Sequence, residues 1–516
     1  MNSYSKKDEV WKYKKYACRA KCFDITAGGK IIVLNESEAH QNDLYASHRV
    51  ILRHAGKQTI AIVDVASDMV QPGEIGLFAE VCSELGTHDG APVEIIHMQR
   101  PASIEFIKKK MDGHVLSKDE IETIMRELMQ NRLSEAELAS FITSVYIRGM
   151  SEDEVVGLTQ SVVATGDTLD LGRQPICDKH CIGGVAGNRT TMVMVPIIAA
   201  AGLYIPKTSS RSITSAAGTA DTMEVLCDVS LGLDDMRSVV RKSHGCIVWG
   251  GALSLASADD KLIKIRNPLS LDPRGVMLAS ILAKKKSVGA KFVIIDIPIG
   301  RGAKVPDKAD AADLGREFIN IGKRLGMKLE VLVTDGSEPV GRGIGPSLEC
   351  NDVLSVLNNA GPADLRDKSC QLAGALLELA GKVKKGRGIT AAEQILKSGK
   401  ALSKFREIVE LQGGKHNVKL SDISVARYRH EVRAEKDGRI FHIDNRMVSK
   451  IARAAGAPND HEAGVLLVCE RGDRVKKGDV LYEIHSSSEA KLSFAIKALE
   501  GWSAVDLERS VLSSME

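Results

Sequence analysis

Residues 178–221 hold the densest set of groups that could do chemistry: DKHCIGGVAGNRTTMVMVPIIAAAGLYIPKTSSRSITSAAGTAD. Lys179 and His180 run into a loop containing Gly183, Gly184 and Gly187. The hydroxyls of Thr190 and Thr191 follow, then an apolar stretch. A second loop packs Thr208, Ser209, Ser210, Ser212, Thr214 and Ser215 around Arg211 and Ile213, and ends in Gly218-Thr219. Glycines let backbone N–H groups approach an anion, and a following helix adds partial positive charge at its N-terminus. Hydroxyls, lysine and arginine complete a hydrogen-bond shell. Two such loops joined by one buried helix are the parts of an anion-binding cleft. The glycine loop is not a P-loop, because no Gly-Lys-Ser/Thr closes it.

The elements around these loops are those of a multidomain α/β protein. From about 171 to 414 strands and helices alternate, which implies a mainly parallel sheet with ligands at the carboxyl ends of its strands. Residues 292–297 form a β-branched run ending at Pro298-Ile299-Gly300, and 329–333 another ending at Thr334-Asp335-Gly336. The glycines of 341–345 read as turns supporting the cleft. Residues 1–97 alternate apolar and polar positions and read as a small β-barrel-like domain. A helical domain follows over 98–171, with capping boxes Ser117-x-x-Glu120, Ser134-x-x-Glu137 and Ser151-x-x-Glu154. The α/β domain spans 172–414, with 255–290 packing against the helical domain. A small C-terminal α+β domain spans 415–516.

Composition excludes several classes. At 516 residues the chain accommodates several domains. Aromatics are only 4% and the net charge is +3 with no long basic run, so no nucleic-acid partner is expected. No stretch of about 20 apolar residues exists, so no membrane partner is expected. The polar, lysine-rich start lacks a signal-peptide pattern. A cytoplasmic location with free thiols is the expectation for the ten scattered cysteines. The pairs Cys18/Cys22 and Cys177/Cys181, the second beside His180, lack the tight double spacing of a zinc site, so no metal is expected.

The string 178–221 closely resembles the thymidine phosphorylase/AMP phosphorylase family, in which a KHS-x-GG loop and an S-R-x-x-x-x-x-x-GT-x-D loop hold inorganic phosphate and the nucleoside. The resemblance extends over nearly the whole chain after about residue 20. It includes a small barrel before the helical domain, as in AMP phosphorylases and their bacterial relatives, and the C-terminal domain of pyrimidine-nucleoside phosphorylases. It implies phosphorolysis of an N-glycosidic bond without a cofactor, and a homodimer or larger homo-oligomer. On it, Lys179, Thr190, Ser209 and Thr219 hold phosphate. Gly184, the stretch Ser210, Arg211, Ser212, Ile213, Thr214 and Ser215, and Ser280, Lys284 and Lys304 line the nucleoside or nucleotide. Asp272, before Pro273, is the proton donor of the AMP pattern, and His180 completes the catalytic assignments.

The resemblance favours thymidine as substrate, giving thymine and 2-deoxy-ribose 1-phosphate. The alternatives are AMP phosphorylase, releasing adenine and ribose 1,5-bisphosphate, and a phosphoribosyltransferase, for which no magnesium-binding acidic pair is placed. A nucleotide-sensing protein that kept the cleft is the non-enzyme reading. Two departures from the pattern stand out. Cys181 replaces the usual serine, and the arginine that contacts the pyrimidine has no match in register, Arg266 lying one residue off.

Overall fold

The computed structural model describes residues 15–98, 100–172, 175–212, 215–424, 426–498 and 502–508. They form two compact units. One takes the chain up to Gly149 and also Lys261–Asp272. The other holds Met150–Asp260 and the chain from Pro273 onward.

In the first unit, β1 (Lys15–Cys22), β2 (Ile31–Asn35), β3 (Arg49–His54), β4 (Lys57–Ala66), β5 (Glu74–Leu77) and β6 (Pro92–His97) close into a barrel of order β1-β5-β2-β4-β3-β6. Antiparallel pairing of β1 with β6 completes it, so no edge strand is left to template association. The alternation in the sequence is the cause. Ile32 and Leu34, Val50 and Leu52, Ala61 and Val63, and Val93 and Ile95 point inward on alternate positions and are buried. Two short helices, Glu36–Gln41 and Ala79–Leu85, interrupt the barrel. At six and seven residues they are too short for a helical period to show in the sequence.

The capping boxes are formed. Ser117, Ser134 and Ser151 each accept from the backbone N–H three residues on, and Glu120, Glu137 and Glu154 each accept from the serine's own N–H. The first two helices, Lys118–Met129 and Glu135–Arg148, lie in the first unit. The third, Glu152–Ala164, lies in the second, where it packs on the helix Arg274–Ser287.

The second unit is built on parallel strands. β7 (Cys177–Cys181), β8 (Ile205–Ser209), β9 (Gly245–Trp249), β10 (Phe292–Ile299) and β11 (Lys328–Asp335) form two runs, β11-β10-β7 and β8-β9. A parallel bridge between Ile176 and Tyr204 links them beside β7. Successive strands move outward on one side of β7 and then resume on its other side at β10. That reversal is a topological switch point, where ligands of open α/β sheets bind at the carboxyl ends.

Helices pack against this sheet, Lys308–Arg324 and Ala363–Leu379 both against β10 and β11. Thr190–Ala200 is almost fully buried and apolar all round, as a helix inside a large core must be. The chain ends in a four-stranded antiparallel sheet, β12 (Gly343–Ile344) and β13 (Tyr428–Arg433) with β15 (Gly464–Leu467) and β17 (Val480–Ser486) in the order β12-β15-β17-β13. A second sheet orders β16 (Arg474–Val475), β14 (Gly438–Ile443) and β18 (Val505–Leu507). None of the described helices is long and apolar enough to cross a membrane.

The 341–343 turn is held by Asp352, whose Oδ2 accepts from the N–H groups of Arg342 (2.7 Å) and Gly343 (2.8 Å). Burial pushes this carboxyl up from 3.8 to about 6, against the opposing pull of those two N–H groups. A carboxyl with a raised folded pKa contributes stability below its unfolded pKa and loses it as pH rises through the folded value. Asp352→Asn removes that titration. Its melting temperature relative to the unsubstituted protein should therefore climb between about pH 4 and 6 and level off above. A difference that is flat across this window, measured by differential scanning fluorimetry, contradicts the assignment.

Candidate active site

Side chains alternate across β7, so Lys179 and Cys181 face one side of the sheet and Asp178 and His180 the other. A buried carboxylate anchors each side. On the first, Lys179 Nζ donates to Thr190 Oγ1 (3.0 Å) and lies 3.6 Å from Asp296 Oδ2, with Lys179 and Asp296 both buried. Thr190 in turn donates to Asn188 Oδ1 (3.0 Å), and Thr334 Oγ1 donates to Asp296 (2.6 Å). Burial raises the Asp296 carboxyl, but Lys179, Lys368, Thr334 and Cys181 together hold it below its usual range.

On the other side, Asp178 accepts from Lys285 Nζ (2.7 Å) and lies 3.9 Å from Lys207 Nζ. Burial first, then the neighbouring ammonium of Lys285, pushes Lys207 down to about 7. His180 faces this cluster. Burial, then Lys285, Lys207, Lys179 and Lys284, hold its imidazole well below the usual range. It is neutral at physiological pH and equipped to hydrogen-bond a neutral heterocycle rather than to carry charge. Beside it, Ser280 Oγ donates to Asp259 Oδ2 (2.7 Å), and Lys284 Nζ sits 2.8 Å from the same oxygen. Ser280 and Lys284 are one helical turn apart, so one buried carboxylate fixes both.

The glycine loop is held by tight backbone contacts. Gly184 has φ +92°, and a Cβ there would come within 2.7 Å of the backbone nitrogen of Lys304. Gly187 abuts the carbonyl of Val340, and Val340 N donates to Ala186 O (3.0 Å). Asn445, from the C-terminal part, closes the arrangement: Ala186 N donates to its Oδ1 (2.9 Å), and its Nδ2 donates to Gly336 O (3.0 Å).

Arg189 joins the two loops. It pairs with buried Glu349 and donates to Ala217 O (2.6 Å) and Thr219 Oγ1 (3.3 Å). In the second loop Arg211 is spent on Glu224 and Asp221 and lies over the Trp249 ring at 4.8 Å. It braces the loop rather than offering a free charge. Asp221 also accepts from Ser212 N and Gly218 N, both at 2.7 Å. Ser215 Oγ donates to Ala217 O (2.9 Å), and Ser210 O accepts from Ala220 N (3.4 Å). Ser209 Oγ is buried and makes no hydrogen bond among the described residues, which leaves it for a ligand. Ile213 and Thr214 lie outside the described residues.

The site residues named from the sequence, Ile213, Thr214 and Asp272 apart, thus fall on the carboxyl ends of β7 and β8, the helix starts and loops around them, and the helix Arg274–Ser287. Lys304 is exposed in the loop after β10, its backbone against Gly184. Asp272 belongs to the first unit, where its exposed carboxylate pairs with Arg266. The next residue, Pro273, begins the second unit and caps the helix carrying Ser280 and Lys284. Asp178, Asp296, Asp259, Lys207, Lys285, Arg189, Glu349 and Asn445 were not singled out by motif. The one visible signal was charge inside apolar strands: Asp296 interrupts a β-branched run and Lys207 follows Ile205-Pro206.

Residues 104–166 match the helical bundle domain of the glycosyl transferase family, 173–402 its a/b domain, and 440–505 the pyrimidine nucleoside phosphorylase C-terminal domain. An AMP phosphorylase from Pyrococcus furiosus is 44% identical over 499 residues, covering 96% of this chain and 99% of that protein. The chain belongs to the thymidine/AMP phosphorylase family. Other members include AMP phosphorylases from Pyrococcus horikoshii, 47% identical over 96% of this chain and 98% of its own, and from Methanosarcina acetivorans, 44% identical over 95% and 97%. Anthranilate phosphoribosyltransferase from Thermus thermophilus shares the fold, with a TM-score of 0.52 at 19% identity, covering 60% of this chain and 99% of that one. The chain is thus a pentosyltransferase-type nucleoside phosphorylase.

Cys181, the departure from the family serine, carries a thiol 3.5 Å from Asn188 Nδ2. Burial, then Asp296, pushes it up to about 11, so it is no thiolate nucleophile at neutral pH. Cys181→Ser should retain or exceed the activity of the unsubstituted enzyme, because a hydroxyl is the better hydrogen-bond donor in the same place. Steady-state assay of an inactive Cys181→Ser protein with normal melting behaviour contradicts this.

Proposed function

We propose that this protein phosphorolyses a nucleoside 5′-monophosphate of the AMP type, releasing adenine and ribose 1,5-bisphosphate. What carries the reading is the run of relatives named AMP phosphorylase, each 42–47% identical along almost the full length, barrel included. Thymidine as substrate, the first expectation from the sequence, gives way to it.

In this reading Lys179, Thr190, Ser209 and Thr219 hold inorganic phosphate on the Lys179 face of β7. Gly184, the 210–215 loop, Lys304 and the Ser280/Lys284 pair surround the nucleotide, with neutral His180 hydrogen-bonding the base. A phosphate oxygen attacks C1′ as the C1′–N bond breaks. The bonding pair leaves with the base, and positive character develops on the sugar, as in glycoside cleavage. Asp272 gives the departing base a proton and recovers one from solvent. Holding both reactants in line supplies much of the rate. The enzyme works as a cytoplasmic homo-oligomer, a dimer at the least.

A panel of AMP, CMP, UMP, thymidine and uridine with inorganic phosphate, read by chromatography of free base, should show AMP cleaved fastest and no release without phosphate. Thymidine cleaved faster than AMP would return the substrate to the pyrimidine nucleosides. Asp272→Asn keeps the shape and removes the acid, and should lower kcat on the best substrate by about 100-fold or more. An unchanged kcat would make Asp272 structural.

A further inference from the structure

We propose that Lys368 is a second ammonium of the phosphate site, paired with Lys179 across Asp296. This rests on the reading of the Lys179 face as the place where phosphate binds.

Lys368 lies in the second turn of the helix Ala363–Leu379. Leu365, Ser369, Leu372, Leu376 and Leu379 form the stripe that this helix buries, and Lys368 sits at its border. The N-terminus is pinned, because Asp364 Oδ2 accepts from Gly341 N at 2.8 Å. The lysine is thereby turned toward β10. Its Nζ lies 3.8 Å from Asp296 Oδ2, the same oxygen that Lys179 Nζ approaches to 3.6 Å, and its side chain is only 11% exposed.

Neither separation is a hydrogen bond. Lys368 Nζ is buried without an acceptor, and Asp296 Oδ2 without a donor, among the described residues. A desolvated ammonium whose three N–H groups find no acceptor is costly. Asp296 is the one carboxylate within 4 Å of either ammonium among the described residues, and both lysines meet it at a single oxygen. Asp335, the next carboxylate to feel Lys368, also feels Arg471, and Arg189 is matched by Glu349. Ser209 Oγ, on the strand beside β7, is a further buried donor without a partner. A phosphate dianion is the ligand that this set lacks: it would take up the unused N–H and O–H donors and give the second ammonium the acceptors that Asp296 does not supply. Lys368 as a plain counter-ion for Asp296 explains neither the missing hydrogen bond nor the second lysine on the same oxygen.

The test is calorimetric titration of inorganic phosphate, and separately of AMP, into the full-length protein and Lys368→Met. Loss of the second ammonium should weaken phosphate about tenfold or more. AMP affinity should stay within about twofold, and Lys368→Arg should recover most of the phosphate affinity. In turnover the same split appears as a raised KM for phosphate with the KM for AMP little changed. Equal phosphate affinity in Lys368→Met and the unsubstituted protein overturns the assignment, as does parallel loss of phosphate and AMP binding, which marks a structural lysine. An unsubstituted protein that binds no phosphate at all sinks the phosphorylase reading and this assignment together. Should Lys368→Met not fold, Lys368→Gln against Lys368→Arg decides the same question: retention of phosphate affinity by arginine alone supports the second cation, and equal affinities overturn it.

Discussion

The carboxyl end of β7 is organised around the cost of keeping ammonium groups dry. Lys179, Lys207 and Lys285 are all buried within reach of one short strand, where unpaired charge is expensive. Asp178 and Asp296 offset that cost, one on each face of the sheet, and their placement follows from the register that sets Cys181 beside Asp296 and Asp178 beside Val293. The carboxylates do more than neutralise. They fix where each lysine points: Lys179 toward Thr190 on one face, and Lys207 and Lys285 about Asp178 on the other, where burial and those ammonium groups keep His180 neutral. In the proposed phosphorolysis the first face takes the anion and the second the neutral base.

Backbone contacts make the arrangement rigid. The glycine loop is pressed between the 340–343 turn and the backbone of Lys304, and Asn445 ties it to the C-terminal part of the chain. The C-terminal residues therefore belong to the site's architecture as well as to their own sheets. Arg189 and Glu349 do the same for the second loop, joining Thr219, Ala217 and Thr222 into one hydrogen-bonded set. The glycine loop is thus shaped before a ligand arrives, which lowers the ordering cost of binding.

Local signals were legible in the sequence. The three Ser-x-x-Glu boxes announced three helix starts because a cap is a contact over three residues. The period-2 runs announced barrel strands because side-chain alternation is a local property. The glycine-rich and hydroxyl-rich stretches were legible as loops beside strand ends because their chemistry is contiguous. Partners distant in sequence were not legible. That Asp296 would meet Lys179, Asp259 would meet Ser280 and Lys284, and Asn445 would cap the glycine loop depends on register and chain crossings that no local pattern encodes. Arg211 has partners nearer in sequence that no motif announced either: Glu224 and Asp221, on the helix that follows the loop.

The central claim is that phosphate and base lie on opposite faces of β7. A crystal structure of the full chain with inorganic phosphate and a non-cleavable AMP analogue tests it directly. The account predicts a phosphate with oxygens about 3 Å from Lys179 Nζ and Ser209 Oγ, and a base within hydrogen-bonding reach of His180. Phosphate bound among Lys207, Lys285 and His180, with the Lys179 face empty, would contradict it.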